Sequence, residues 1–94
     1  MKQIIGGKEY NTETATLLAS DRYWDGSNFE RSGRNTYLYK TPNGRYFAHH
    51  TTCWQGERDT LEALTIDEAK ALYEELHEHE SEYEEAFGVK PEAA

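Results

Sequence analysis

The fold is decided by one stretch of the chain, residues 36–52, which reads TYLYKTPNGRYFAHHTT. On both sides of its Pro-Asn-Gly segment the side chains alternate in character, and a period of two residues is typical of paired β-strands. Pro42 presets the first central position of a type I turn, and Gly44 can adopt the left-handed conformation that a three-residue loop needs. The stretch therefore predicts an antiparallel β-hairpin.

The loop length determines which residues face each other across this hairpin. A three-residue loop pairs Tyr39 with Phe47. Two positions further out, it pairs Tyr37 with His49. A two-residue turn at residues 43–44 is the competing arrangement, and the resulting one-residue shift would move every side chain to the other face of the sheet.

Shorter elements are predicted on the N-terminal side of the hairpin. Residues 4–10 indicate a brief strand pair around the turn Gly6-Gly7, and residues 29–31 indicate a third strand of the main sheet. Between them, a side-chain oxygen of Asn11 or Thr12 can cap a short helix that ends near residue 20 or 21. The narrow apolar face of that helix would consist of Ala15, Leu18 and Ala19.

The C-terminal third predicts helices. Thr65 and Glu68 have the spacing of a capping box, in which each side chain accepts a hydrogen bond from the backbone of the other residue. Apolar residues follow at helical spacing, namely Ile66, Ala69, Leu72, Tyr73 and Leu76. A second capping box at residues 81–84 predicts another short helix through Phe87, with Gly88 as its C-cap.

Together these elements predict an α+β fold. It would contain a small antiparallel β-sheet with a short N-terminal helix and one or two C-terminal helices packed on one face. Residues 1–88 would form a single domain, and residues 89–94 a flexible C-terminal tail. Seven Tyr, three Phe and two Trp supply the buried area that a domain of this size needs.

Charge is distributed unevenly along the chain. The formal net charge is −8, and from Glu57 onward thirteen Asp or Glu stand against three Lys or Arg. Such a block repels nucleic acid and attracts basic surfaces. The single cysteine, Cys53, excludes an internal disulfide and indicates a reducing compartment. Since no apolar run approaches the length of a membrane span, a cytoplasmic protein without membrane partners is expected.

The sharpest functional prediction comes from the acidic block. On the predicted C-terminal helices, successive turns would set carboxylates roughly 5 to 6 Å apart, near the spacing of phosphates along a nucleic-acid strand. Such a row can satisfy the Lys and Arg of a basic nucleic-acid-binding surface on another protein in place of phosphates. The partner-binding residues would be Asp67, Glu74, Glu75, Glu78, Glu82 and Glu85. A solvated helix surface without a partner is the alternative.

A second hypothesis assigns binding to the β region instead. Arginines lie there among aromatic residues, which is the composition of a surface that binds single-stranded nucleic acid. That face would consist of Arg31, Arg34, Arg45, Tyr37, Tyr39 and Tyr46. The acidic block opposes it, because a polyanion would be repelled, so no direct nucleic-acid binding is expected.

The remaining candidates are metal binding and catalysis. His49, His50 and Cys53 include zinc-ligand types, but adjacent histidines on a strand point to opposite faces and cannot both bind one ion in regular geometry. No spacing suggests an orienting group or an oxyanion element for a Cys–His pair. The acidic residues look uniformly exposed, whereas acid–base catalysis needs contrasting environments. We therefore expect no metal, no cofactor and no enzymatic activity.

Several short motifs are distributed along nearly the whole chain. They are IIGGKEYNTETA (4–15), YLYKTPNGRYF (37–47), WQGE (54–57), LT (64–65), EA (68–69) and YEEAFG (83–88). In this order they resemble a family of small accessory proteins of bacteriophages and mobile genetic elements. The resemblance implies an anti-CRISPR or related anti-defence role in the cytoplasm of a bacterial host, with a CRISPR effector as the protein partner. It implies no catalytic residues.

Overall fold

The computed structural model describes residues 1–21, 34–52 and 56–93. Seven strands and two short helices lie within these ranges, and the α+β class is confirmed. The elements are β1 (Lys2–Ile5), β2 (Lys8–Asn11), β3 (Thr16–Ser20), β4 (Arg34–Lys40), β5 (Tyr46–Thr52), β6 (Thr60–Leu64), α1 (Ile66–Glu75), β7 (Glu78–His79) and α2 (Tyr83–Phe87).

The central hairpin, β4 with β5, has the three-residue loop that the sequence favours. The Thr41 backbone N–H donates to the Arg45 carbonyl at 2.7 Å, and Gly44 adopts a φ of 81°. Tyr39 therefore lies opposite Phe47, and in the same register Tyr37 lies opposite His49. The prediction of the hairpin is confirmed, and of the two registers that the sequence left open the structure has the one with the three-residue loop.

The N-terminal strand pair is also confirmed. β1 and β2 form a two-stranded antiparallel sheet. The residues between them, Gly6 and Gly7, have φ values of 59° and 77°. Two consecutive positive φ angles are what a tight hairpin turn of the type I′ class requires, and glycine adopts them without steric cost.

The larger sheet has five antiparallel strands in the order β6-β5-β4-β3-β7. Sequence analysis missed β6, whose five residues TLEAL contain good helix formers. Pairing with β5 overrides that preference, because β6 continues the ladder beside a strand that is already paired on its other side. The strand predicted at residues 29–31 lies outside the described residues.

The prediction of an N-terminal helix is wrong. The Asn11 side chain accepts a hydrogen bond from the Glu13 backbone N–H at 2.9 Å, as a cap would, but only one turn follows. From Thr16 onward the chain forms β3, which lies between β4 and β7. Residues 18–20 are all buried, and a bulge interrupts their pairing with β4. A short apolar run has no periodicity that separates a buried strand from a helix, and here the sheet decides.

The C-terminal helices are shorter than the sequence suggested. The capping box of Thr65 and Glu68 is present at the start of α1, with both hydrogen bonds formed. Gly88 ends α2 in the left-handed conformation, with a φ of 75°. The prediction of a second capping box is wrong, because the N-cap residue of α2 is Glu82 and no side chain makes a capping hydrogen bond there.

Two clusters of buried side chains hold the domain together. The helix-side cluster joins α1 and α2 to strands β3, β4 and β5, and its residues are Leu18, Ala19, Leu38, Tyr46, Ala69, Tyr73, Leu76, Ala86 and Phe87. The hairpin-side cluster joins β2 to β5 and β6, and its residues are Tyr10, Phe47 and Leu61. Because successive strand residues point to opposite faces, Tyr46 and Phe47 belong to different clusters.

Candidate functional site

The six acidic residues predicted to bind a partner all lie in the C-terminal unit α1–β7–α2. Five of them are exposed, and Glu78 is half-buried. Within the described residues, none of the six forms an ion pair with a Lys, Arg or His. We call this group the acidic surface; it comprises Asp67, Glu74, Glu75, Glu78, Glu82 and Glu85.

The acidic surface is not one helical row. Asp67 and Glu74 lie on the side of α1 away from the core, about 10 Å apart along the axis, with Lys70 between them in sequence. Glu75 points about 100° away from Glu74 around the axis. The carboxylates therefore lack the regular repeat of a phosphate backbone.

The helical row stops because α1 ends before Glu78. Leu76 takes an extended conformation with ψ of 134°, and the chain then forms β7. Glu78 pairs with Ser20 there, and His79 pairs with Ala19. The segment HEHE (77–80) alternates in character, and this signal could have indicated a strand. The prediction that Glu78 lies on the same helical face as Glu74 is therefore wrong.

Aromatic side chains lie beside some of these acids, and of these rings the sequence analysis named only Tyr73, as part of the apolar face of a helix. The His79 ring stacks on the Tyr73 ring, with centroids 3.9 Å apart and planes 17° apart. The Tyr73 hydroxyl donates to the Ser81 carbonyl at 2.7 Å. Burial, and next the negative charge of Glu82, raise the pKa of Tyr73. The Glu82 charge therefore acts on the Tyr73 hydroxyl in the same direction as burial.

A shallow groove opens beside this stack. It is bounded by α1, β7, α2 and the segment that follows α2. Its lining residues are Tyr73, Glu74, His79, Tyr83, Pro91 and Glu92.

The alternative arginine–tyrosine face is not assembled as one surface. Tyr37 and Tyr39 lie on the same face of the sheet as His49, with ring centroids 5.9 and 6.5 Å from the imidazole. Tyr46 points to the other face, where its buried hydroxyl donates to the Ala86 carbonyl at 2.7 Å. Burial raises the pKa of Tyr46.

The arginines of that alternative are dispersed as well. Arg45 is exposed in the hairpin loop. Arg34 begins β4, and Arg31 lies outside the described residues. The geometry therefore does not unite the six residues of this hypothesis.

The two adjacent histidines lie on opposite faces of β5. His50 donates from Nε2 to Glu62 at 2.9 Å, and its Nδ1 is 3.4 Å from the Thr36 hydroxyl. On the other face, the Nε2 atom of His49 is buried without a hydrogen-bond partner, 3.6 Å from a carboxylate oxygen of Asp59. Burial lowers the pKa of His49, and the Asp59 charge opposes that effect.

These histidines do not converge on a common ligand position. Across residues 1–21, 34–52 and 56–93, no three His, Cys, Asp or Glu side chains are grouped to hold a metal ion. Cys53 lies outside those ranges.

Comparison of the chain with protein-family models, with curated proteins and with solved structures found no match. Among the described residues, neither helix is long and apolar enough to cross a membrane.

Proposed function

We propose that this protein binds, through the acidic surface, a basic nucleic-acid-binding surface of another protein and inhibits it. The observation that carries the proposal is the group of six carboxylates without a cationic partner among the described residues. Carboxylates that are not neutralised within the fold leave a strong negative potential outside it. That potential favours association with a surface rich in Lys and Arg.

The spread of the acids over three elements suggests how such binding would work. Basic nucleic-acid channels hold phosphates through many sequence-independent contacts. A patch of carboxylates on α1, β7 and α2 can occupy these contacts through its overall charge, without matching phosphates one by one. Because added salt screens the charges on both protein surfaces, binding of such a competitor should weaken as salt is added.

The biological setting of the proposal comes from the resemblance to accessory proteins of phages and mobile elements. The proposed partner is a CRISPR effector or a related defence complex in the cytoplasm of a bacterial host. Inhibition by occupancy requires no catalytic residue and no cofactor. It also requires no contact between this chain and nucleic acid.

A competition experiment tests the proposal. Purified CRISPR effectors loaded with their guide are mixed with fluorescent target DNA, and fluorescence anisotropy follows the release of the DNA as this protein is added. We expect release of the DNA at low salt. Direct binding of this protein to the effector, measured without DNA, should weaken as salt rises over the range where the Debye length shortens to roughly 8 Å.

A pair of charge-reversed variants makes the test specific. Glu74→Lys with Glu75→Lys reverses two acids near the C-terminus of α1, where lysine is favoured by the helix dipole. Glu9→Lys with Glu13→Lys produces the same change in net charge at exposed positions of the N-terminal region. We expect the first variant to lose about tenfold or more in competition and the second to retain it. Equal losses would contradict a specific acidic surface. If this chain binds the labelled DNA directly, the arginine–tyrosine hypothesis is favoured instead.

A further inference from the structure

We propose that the groove lined by Tyr73, Glu74, His79, Tyr83, Pro91 and Glu92 is a binding site for an arginine side chain. The identity of the arginine as a residue of the inhibited partner rests on the proposed function. The ability of the groove to take a guanidinium group rests on its own geometry.

The aromatic wall of the groove is held in place before any ligand arrives. Tyr73 is buried, and its ring meets the rings of Tyr83 and Phe87 edge-on, at centroid distances of 5.7 and 5.6 Å. The Nε2 atom of His79 donates to the Tyr73 carbonyl at 2.8 Å, which fixes the imidazole against the Tyr73 ring. One ring face of His79 is thus covered by Tyr73, and the exposed residue presents the rest of its ring to the groove.

The charge of the groove is negative. Glu74 on α1 and Glu92 after α2 both line it, and both are exposed. The charge of Glu82 acts on the Tyr73 hydroxyl at the same site. No Lys or Arg is among the lining residues. An anionic ligand would be repelled here, whereas a cation would meet two exposed carboxylates, the exposed His79 ring and the half-buried Tyr83 ring.

Arginine fits this combination better than lysine does. Its guanidinium is planar, stacks on aromatic rings and donates in a fork that matches carboxylate oxygens. A lysine ammonium is a compact and strongly hydrated charge that uses only part of these contacts. A neutral side chain of the same shape would gain neither the cation–π attraction nor the charge-assisted hydrogen bonds.

Nuclear magnetic resonance with a small probe tests the groove directly. The probe is N-acetyl-arginine amide, titrated into the isotope-labelled protein while backbone amide shifts are followed. Its neutral isostere, N-acetyl-citrulline amide, is the control. We expect saturable shifts from the arginine probe that cluster at residues 73–92, and no saturable shifts from the citrulline probe.

Matched variants assign the contact to individual side chains. Glu74→Gln should weaken the probe about two- to fivefold, whereas Glu84→Gln, at an exposed position outside both the groove and the acidic surface, should leave affinity unchanged. Glu92→Gln and Tyr83→Leu should each weaken it by a similar factor, since one removes charge and the other removes a ring face. Equal effects of Glu74→Gln and Glu84→Gln, equal binding of citrulline, or shifts centred elsewhere would overturn the proposal.

The two proposals fail separately. If the arginine probe binds in the groove but the Glu74→Lys, Glu75→Lys variant still displaces DNA from the effector, the groove stands and the proposed function does not. If that variant loses competition while the probe does not bind, the acidic surface acts through its overall charge and the arginine site is wrong.

Discussion

The two faces of the five-stranded sheet are closed in different ways. On the helix side, α1 and α2 cover Leu38 and Tyr46, and one buried hydrogen bond from Tyr46 ties the sheet to α2. On the hairpin side, Tyr10 of β2 meets Phe47 edge-on at 5.5 Å. That side also carries His49, a titratable side chain that lies near the rings of Tyr37 and Tyr39.

The two sides also differ in whether they carry the residues of the proposed function. The acidic surface lies on the elements that close the helix side, so their inner residues stabilise the domain and their outer residues remain available for a partner. On the hairpin side, burial lowers the pKa of His49, so the stability of that side is expected to depend on pH. Changes on the two sides should therefore be distinguishable by experiment.

The largest expected effect comes from opening the hairpin side. Phe47→Ala should lower the free energy of unfolding by about 3–5 kcal/mol, because Phe47 is fully buried and its removal leaves a cavity. Ile4→Ala, on β1 and 71% exposed, should change it by less than about 0.5 kcal/mol. Urea denaturation measures both. A small effect at Phe47 would mean that the hairpin side is not a true core.

A smaller effect is expected where the helix side is joined to the sheet. Tyr46→Phe should destabilise the protein by about 1–3 kcal/mol, because it leaves the Ala86 carbonyl near the end of α2 without the Tyr46 donor. In the Tyr46→Phe variant, amide hydrogen exchange should accelerate, relative to the unaltered protein, more in α2 than in β1–β2. Uniform acceleration across the domain would show that α2 does not open separately.

The smallest expected effect is a change in how the stability of the protein depends on pH. Because burial holds the pKa of His49 below its ordinary value of 6.5, the unfolded chain binds a proton at higher pH than the folded protein does. The stability associated with neutral His49 is present above pH 6.5 and is lost as pH falls from there toward the lowered pKa. His49→Gln should therefore show a shallower loss of stability between pH 7 and pH 5 than the unaltered protein.

The matched control for this pH test is His50→Gln on the opposite face. It should keep the steeper loss, because His49 is still present. Thermal denaturation at several pH values gives the comparison. Parallel curves for the unaltered protein and His49→Gln would contradict the assignment.

The sequence predicted correctly those turns and caps whose hydrogen bonds form between residues close together in the chain. The loop between Thr41 and Arg45, the capping box at Thr65 and the glycine end of α2 were all predictable, because each satisfies its own backbone groups within a few residues. It failed at β3, β6 and β7, whose backbone groups are paired with other strands.

The candidate site shows the same division. The sequence identified the acidic block and the individual carboxylates, because charge and exposure follow from residue type. It placed Glu78 on a helix, since it could not anticipate that residues 78–79 would pair with β3. It also missed the Tyr73–His79 stack, which depends on that pairing.

By itself the sequence determined the α+β class, the central hairpin, the start of α1 and the acidity of the C-terminal unit. These features depend on turn chemistry, on capping and on composition, all of which act locally. Only the tertiary structure decided that residues 16–20 are a strand, that Tyr46 and Tyr37 point to opposite faces, and that the acids surround an aromatic groove. Such outcomes depend on contacts between distant residues, as between Tyr46 and Ala86, which are 40 positions apart.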